Sequence, residues 1–327
     1  MYGKVLIISG PTASGKTELA QNVGSFISCE YINADVGQFY TQLNIGVAKP
    51  DFSLEIYKNN THCFNICDVP RDINVIEYRE RVIKCVKEIL SRGNLPVIVG
   101  GSLFYIKSLF FPPLRYIEKN GIDLPAVNLP EEIKALVNKR DLLIHERSLL
   151  WDFLKEIDFT RAKEISQNDS YRIIRAIKIW ERTGVLPSSY KPVCDSPFNA
   201  LFIFLSPEKN ILRDNIKKRV DIMLKSGWIE ECKGLIGSEW EEFIKSKNLI
   251  GYPELFKFIR DGEKESELSL VREIIFNKTV QYAKRQITFW RSFVNMIRSE
   301  NKMSLCDMCE INRLGSEGLK EVLNFVL

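Results

Sequence analysis

Through the first hundred residues, short unbroken apolar runs alternate with longer stretches in which apolar side chains recur every three or four positions. Residues 5–9, 30–34 and 95–99 read as buried strands, while 16–26 and 75–92 read as amphipathic helices. A continuous apolar run leaves no polar face for solvent, so such strands need cover on both sides, and a strand–helix–strand alternation supplies it in a parallel sheet. After Phe111 the texture changes: Pro112, Pro113, Pro125 and Pro130 punctuate a loop-rich stretch, and helical periodicity then runs from 131 to about 183 with no strand candidate inside it. Residues 184–197, with Pro187, Pro192 and Pro197, read as a return linker, and 200–205 resumes a buried strand. From 209 onward the pattern is helical, broken at Gly251-Tyr252-Pro253 and at Asp261-Gly262; residues 299–327 carry no readable motif. The pattern predicts an α/β core at 1–115 and 199–327, flanked by helices, with a mostly helical insertion at 116–198.

Gly10-Pro11-Thr12-Ala13-Ser14-Gly15-Lys16-Thr17 satisfies G-x-x-x-x-G-K-[ST], after a strand run and at the mouth of a helix, where that loop must sit. Its backbone N–H groups turn inward as an anion nest and the helix dipole adds partial positive charge. Lys16 reaches the terminal phosphate, and the Thr17 hydroxyl can ligate Mg²⁺. The core is therefore expected to be P-loop NTPase-like and to bind a polyphosphate. A GTPase would also carry N-K-x-D, which Asn277-Lys278-Thr279-Val280 fails; a P-loop kinase of a small metabolite or nucleotide remains an alternative.

Asp35 follows the second strand run and should emerge at the carboxyl edge of the sheet beside the loop, where open α/β sheets bind ligands. From strand context alone it reads more readily as a helix N-cap or turn aspartate than as a chemical group. The third strand ends in Gly100-Gly101-Ser102, which permits close backbone approach and offers a hydroxyl at the same edge.

Composition narrows the class without naming it. With 327 residues, 45% hydrophobic, 27% charged, 18 Gly and 13 Pro, the chain reads as folded and globular, which excludes disordered, collagenous and coiled-coil readings. No apolar run approaches the roughly 20 residues needed to span a bilayer, and the first apolar run is too short for a signal-peptide core. No membrane partner is expected, and the cytoplasm and a monomeric state are. Eight cysteines are scattered without a framework and read as thiols; Cys306-x-x-Cys309 has no second pair or His nearby and reads as two core-side thiols. His62-Cys63 near Cys67 reads as packing. The net charge of +4 permits a nucleic-acid partner without requiring one. Its distribution is more telling: residues 277–299 hold Lys278, Lys284, Arg285, Arg291 and Arg298 and no acidic residue. There Val280, Ala283, Ile287, Trp290, Val294 and Ile297 form one apolar helix stripe, with Tyr282 and Phe289 expected exposed beside the cations.

Several segments together resemble the tRNA dimethylallyltransferase (IPP transferase) family: the loop 10–17, Asp35-Val36-Gly37-Gln38-Phe39-Tyr40, Asn44-Ile45-Gly46-Val47-Ala48-Lys49-Pro50 and Val99-Gly100-Gly101-Ser102. Asn168-Asp169-Ser170-Tyr171-Arg172-Ile173-Ile174-Arg175-Ala176 is similar to the family's N-D-x-Q-R-x-x-R-A stretch. Ile250-Gly251-Tyr252 and the run from Ala283 through Lys284, Arg285, Gln286, Ile287, Thr288, Phe289 and Trp290 to Arg291 resemble its C-terminal tRNA-contacting segments. The likeness runs from about residue 3 to 293. Val36, Ser102, Tyr171 and Pro253 depart from the family's usual Ser, Thr, Gln and basic residue.

The resemblance implies transfer of a dimethylallyl group from dimethylallyl diphosphate to the N6 amine of the adenosine 3′ of the anticodon (position 37), with the tRNA anticodon stem-loop as partner and Mg²⁺ as cofactor. It implies Asp35 as the base, Thr12 and Lys16 as further catalytic groups, the loop 10–17 as the diphosphate site and Thr17 as the metal ligand. Contacts to tRNA would come from Asp35, Val36, Gly37, Gln38, Ser102, Tyr171, Arg172, Ile173, Ile174, Arg175, Gly251, Tyr252, Lys284, Arg285, Gln286 and Arg291. The target base would be extruded into a channel between core and insertion, its edge read by Asp35 and Gln38.

Overall fold

A computed structural model describes residues 3–53, 57, 60–113, 126–139, 141–191, 193–299, 306–312 and 316–326. Among them, strands β1 (Lys4–Ser9), β2 (Cys29–Asn33), β3 (Thr61–His62), β4 (Leu95–Val99), β5 (Asn199–Leu205) and β6 (Cys306–Ile311) form one sheet in the order β3-β2-β4-β1-β5-β6. Every pairing is parallel. β1 lies between β4 and β5, with Leu6 in register with Val97 on one side and Leu201 on the other.

The helices are α1 (Lys16–Gly24), α2 (Val75–Ser91), α3 (Leu103–Phe110), α4 (Glu131–Val137), α5 (Ile144–Ile157), α6 (Phe159–Lys163), α7 (Ser170–Thr183), α8 (Lys209–Lys225), α9 (Trp228–Leu235), α10 (Glu239–Lys247), α11 (Tyr252–Arg260), α12 (Glu265–Ser299) and α13 (Ser316–Val326). The side-chain alternation of the strands feeds two cores. Val5, Ile7, Ile98, Phe202 and Phe204 point to one face, which packs against Tyr78 and Val82 of α2, Leu103 of α3, Tyr252 of α11 and Trp290 of α12. Leu6, Ile8, Val97 and Ile203 point to the other, against Leu19 and Val23 of α1 and Val322 of α13. Each such side chain contributes roughly 1.5–3 kcal/mol relative to exposure. The Trp290 indole stacks on Phe204 at 4.4 Å with the rings 2° from parallel, which anchors α12 to β5.

Two compact units result, residues 1–111 with 194–327 and residues 112–193. The return to the core begins at Cys194, earlier than the prolines suggest, because Asp195 N donates to Phe110 O at 2.7 Å and Cys194 and Phe198 are buried in the core. The second unit has a core of its own, built on Leu150, Leu154, Ile173 and Ile177. Asp169 caps α7 by accepting from Arg172 N at 3.0 Å, and Gly184 ends that helix with φ 64°. Among the described residues no helix is long and apolar enough to cross a membrane.

The reading of the last thirty residues needs correction: 306–311 is a strand. As an edge strand it presents one paired side, and Asp307 and Glu310 interrupt its apolar pattern; Glu310 also accepts from Trp290 Nε1 at 3.3 Å. Cys306 and Cys309 are free core-side thiols, as read, but they belong to different cores. Three residues apart on a strand they face opposite ways, Cys306 into the first core and Cys309 half-buried against the second.

Candidate active site

Beyond β1, the chain turns through the loop 10–17 with Ala13 at φ 61° and Gly15 at φ 91°, and α1 starts at Lys16. Lys16 Nζ donates to Gly10 O at 3.1 Å and Pro11 O at 2.8 Å, so the side chain folds back along its own loop. Ser14 Oγ is buried and has no hydrogen-bond partner within the protein. An unpaired buried hydroxyl is expensive, and a loop at a helix start that leaves one is suited to an added acceptor such as a phosphate oxygen.

Beyond β2, Asn33 fixes the next turn: its Oδ1 accepts from Asp35 N at 2.8 Å, while its Nδ2 donates to Asp35 O at 3.0 Å and to Cys63 O at 3.1 Å. Asp35 Oδ1 accepts from Gly37 N at 3.2 Å and caps the single 3-10 turn Val36–Phe39, so the cap reading of this aspartate holds alongside any chemical one. The third strand end closes on the same place. Val36 N donates to Ser102 Oγ at 3.1 Å, and Ser102 N to Ala34 O at 3.0 Å. A Cβ on Gly100 would lie 2.2 Å from the Ala34 carbonyl, so only glycine lets these two strand ends meet.

The charges at this edge are coupled. Burial pushes the Asp35 carboxyl upward against the pull of Lys16 and Arg219. Burial lowers Lys16 to about 7, with Arg219 lowering it further and Asp35 opposing. Burial also lowers Arg219, which Asp35 and Tyr282 oppose. One carboxylate and two cations thus share a desolvated mouth, an arrangement typical of reactive sites. Arg219 of α8 was not singled out from sequence. The available signal was its place next to the buried stripe Leu212, Ile216 and Val220; Asn215 on the same helix donates to Ala13 O at 3.3 Å and ties α8 to the loop.

Gln286 is a second residue whose role the structure changes. It is 6% exposed; its Oε1 accepts from Thr12 N at 2.9 Å and its Nε2 donates to Gly101 O at 2.9 Å. It clamps the loop 10–17 to the β4 turn, and its side-chain amide is spent on that clamp. Gln286→Ala leaves a buried N–H and C=O unpaired, so the unfolding free energy should fall by about 1–3 kcal/mol. Stabilisation by inorganic diphosphate in a thermal-unfolding assay should weaken with it.

Other members of the expected RNA set separate by burial. Lys284, Arg285 and Arg291 are exposed on α12, with the Arg285 guanidinium 5.9 Å from the centre of the Tyr282 ring. Tyr282 and Phe289 are half-buried, not exposed, because the apolar stripe is broader than its aliphatic positions suggest. Gly37, Gly251 and Tyr252 are buried, and the Tyr252 side chain, at 0% exposure in the first core, serves packing. In the second unit Tyr171 is 69% exposed and its hydroxyl accepts from Arg175 Nη1 at 3.2 Å. Arg172 pairs with Asp169 at 3.3 Å; the Ile173 side chain lies wholly in that unit's core, so it has no surface to offer RNA, and Ile174 packs partly buried against that core. Gln38 is half-buried, and its Nε2 donates to Val47 O and Ala48 O at 3.1 and 3.0 Å. Thr17 is exposed at the second position of α1.

A family model described as IPP transferase matches residues 38–293. The chain is 32% identical over 291 residues to a tRNA dimethylallyltransferase of Geobacter sulfurreducens, covering 88% of this chain and 89% of that one. It is 33% identical over 282 residues to another from Hydrogenobaculum, covering 86% and 89%. Among solved structures it is similar to the full-length tRNA isopentenylpyrophosphate transferase of Bacillus halodurans, with TM-score 0.60 and 27% identity over 99% of this chain and 95% of that one. It shares its fold with a eukaryotic dimethylallyltransferase captured acting on tRNA, with TM-score 0.75 and 22% identity over 98% of this chain and 77% of that one. These likenesses favour the transferase reading over the kinase, and since the family match takes in the whole insertion and most of the core, the chain belongs to the IPP transferase family.

Proposed function

We propose that this enzyme transfers the dimethylallyl group of dimethylallyl diphosphate to the N6 amine of the adenosine 3′ of the anticodon, position 37, in tRNA. The observation that carries this reading is that, in a chain of the IPP transferase family, the strand ends after β2 and β4 bring Asp35 to Ser102 at the sheet edge, where Gln286 ties the β4 turn to the loop 10–17. In the reaction the allylic carbon–oxygen bond breaks with its electron pair leaving on diphosphate, and a carbon–nitrogen bond forms to N6. The amine sheds a proton, which the Asp35 carboxylate accepts. The loop amides, Lys16 and Arg219 meet the charge that grows on the leaving group, where fixed donors in a water-poor site act most strongly. Thr12 and Ser14 offer hydroxyls to the diphosphate or to the incoming amine.

The donor set fits Mg²⁺. Thr17 is exposed at the start of α1, and this ion keeps several waters and binds through few protein oxygens plus substrate phosphates. Thr17 would hold it, and the ion would neutralise charge on the diphosphate. Lys284, Arg285 and Arg291 on α12, and Tyr171, Arg172 and Arg175 on α7, are the exposed groups suited to the RNA backbone of the anticodon stem-loop.

The test combines purified enzyme, unmodified tRNA with adenosine at position 37, and labelled dimethylallyl diphosphate. Label appearing in the tRNA is the expected result. Phosphoryl transfer or ATP hydrolysis without prenylation would overturn it.

A further inference from the structure

Glu231 of α9 takes four hydrogen bonds on one carboxylate. Its Oε2 accepts from Asn44 N at 3.1 Å and Ile45 N at 2.7 Å, and its Oε1 from Gly46 N at 3.1 Å and the Tyr252 hydroxyl at 2.6 Å. The turn is pressed onto its support. A Cβ on Gly46 would lie 2.1 Å from Trp228 Nε1 and 2.5 Å from Tyr252 Cζ. Two segments far apart in the chain, 44–50 and 250–252, are therefore joined through a residue that belongs to neither.

The turn held this way is connected to Asp35. Its next two carbonyls, Val47 O and Ala48 O, both receive Gln38 Nε2. Lys49 Nζ, on the far side of the turn, donates to Tyr40 O at 2.5 Å and to Asn44 Oδ1 at 3.2 Å. Gln38 and Gly37 lie in the 3-10 turn that Asp35 caps, and Val47 packs on Gly37 so closely that a Cβ there would be 2.6 Å from Val47 Cγ1. A continuous path of hydrogen bonds and contacts thus runs from Glu231 through residues 44–48 and Gln38 to Asp35.

We propose that Glu231 is the positioning residue for the turn that meets the target base, acting through residues 44–48 on Gln38 and Asp35 without touching either substrate. The inference rests on the function proposed above. Glutamine is no conservative exchange here, because its amide has one acceptor oxygen for four donors and its NH₂ would face N–H or O–H groups. Releasing the turn should leave the loop 10–17 intact, since Lys16 and Gln286 are held independently of it.

The experiment is steady-state prenylation by the full chain with each substrate varied in turn. A misplacement near 1 Å is worth about 100-fold, so Glu231→Gln should lower kcat/KM for tRNA by about 10- to 100-fold. The KM for dimethylallyl diphosphate and the thermal shift given by inorganic diphosphate should stay at the parent values. Glu230→Gln, an exposed neighbour paired with Lys233 at 3.0 Å, should behave as the parent. Unchanged tRNA kinetics in Glu231→Gln overturn the proposal. So does a raised KM for dimethylallyl diphosphate or a lost thermal shift with inorganic diphosphate, either of which would mark a purely structural role. If Glu231→Gln does not fold, Tyr252→Phe, which removes a single donor and keeps the ring, must show a smaller loss in the same tRNA parameter, and parent kinetics there overturn the proposal. A parent enzyme that transfers no label overturns the functional reading itself, and this inference with it.

Discussion

Asp35→Asn should lose between about 10² and about 10⁴-fold in kcat for prenyl transfer, the range a positioned general base contributes. The substitution keeps size and an acceptor oxygen, so the bond from Gly37 N and the turn it caps can persist. What disappears is the capacity to take the proton that N6 releases. The same change deletes the negative charge facing Lys16 and Arg219. Inorganic diphosphate should therefore bind at least as tightly as to the parent, measured by calorimetry or thermal shift. Loss of turnover with anion affinity retained would separate a base from a folding residue; parent-like turnover would refute the assignment.

The pH dependence follows from the same charges. Burial raises Asp35 above its ordinary value of 3.8, and the base works only when ionised. The acid limb of kcat/KM should therefore lie above the usual aspartate range, with activity rising as pH rises through it.

The second large effect is expected at Lys16. Lys16→Ala should lower kcat/KM for dimethylallyl diphosphate by about 10² to about 10³-fold, as loss of a donor aimed at developing negative charge does elsewhere. Lys16 in the free enzyme is lowered to about 7, and only its protonated form attracts diphosphate. In the parent, kcat/KM for that substrate should accordingly fall as pH rises through about 7, since this parameter reports the free enzyme. A bound polyanion favours the ammonium form, so kcat itself should hold to higher pH. In Lys16→Ala the limb near neutrality should vanish. Its persistence there would assign that titration to another group.

The hydrophobic pattern located all the strands of the sheet except the two at its edges. β3 is two residues long, and β6 has acidic residues among its six, so neither forms an apolar run. The amphipathic helix at 277–299 was readable, yet its stripe was drawn through Ile287 where the buried position is Gln286, followed by Trp290 and Phe293. A glutamine at a core position of a helix signals a buried partner, but its spacing cannot say which. The partner, Thr12, lies 274 residues away. Tyr252 was read as an RNA contact because it stands in a segment that resembles one, whereas its hydroxyl is spent on Glu231 and its ring on the core.

By itself the sequence determined what neighbouring residues decide: the strand–helix alternation, the glycine-bearing loop with Lys16 at a helix start, and a carboxylate two residues past a strand end. Those features follow from side-chain periodicity and backbone freedom over a few positions, so they can be read without knowing where the rest of the chain goes. Only the tertiary structure decided that the charge of Arg219 is felt at Asp35, that Gln286 clamps the loop and that Glu231 gathers residues 44–46. The reason is that a polar side chain on a helix has the same local pattern whether it meets solvent or a buried partner, and which of these it meets is set by contacts between elements far apart along the chain.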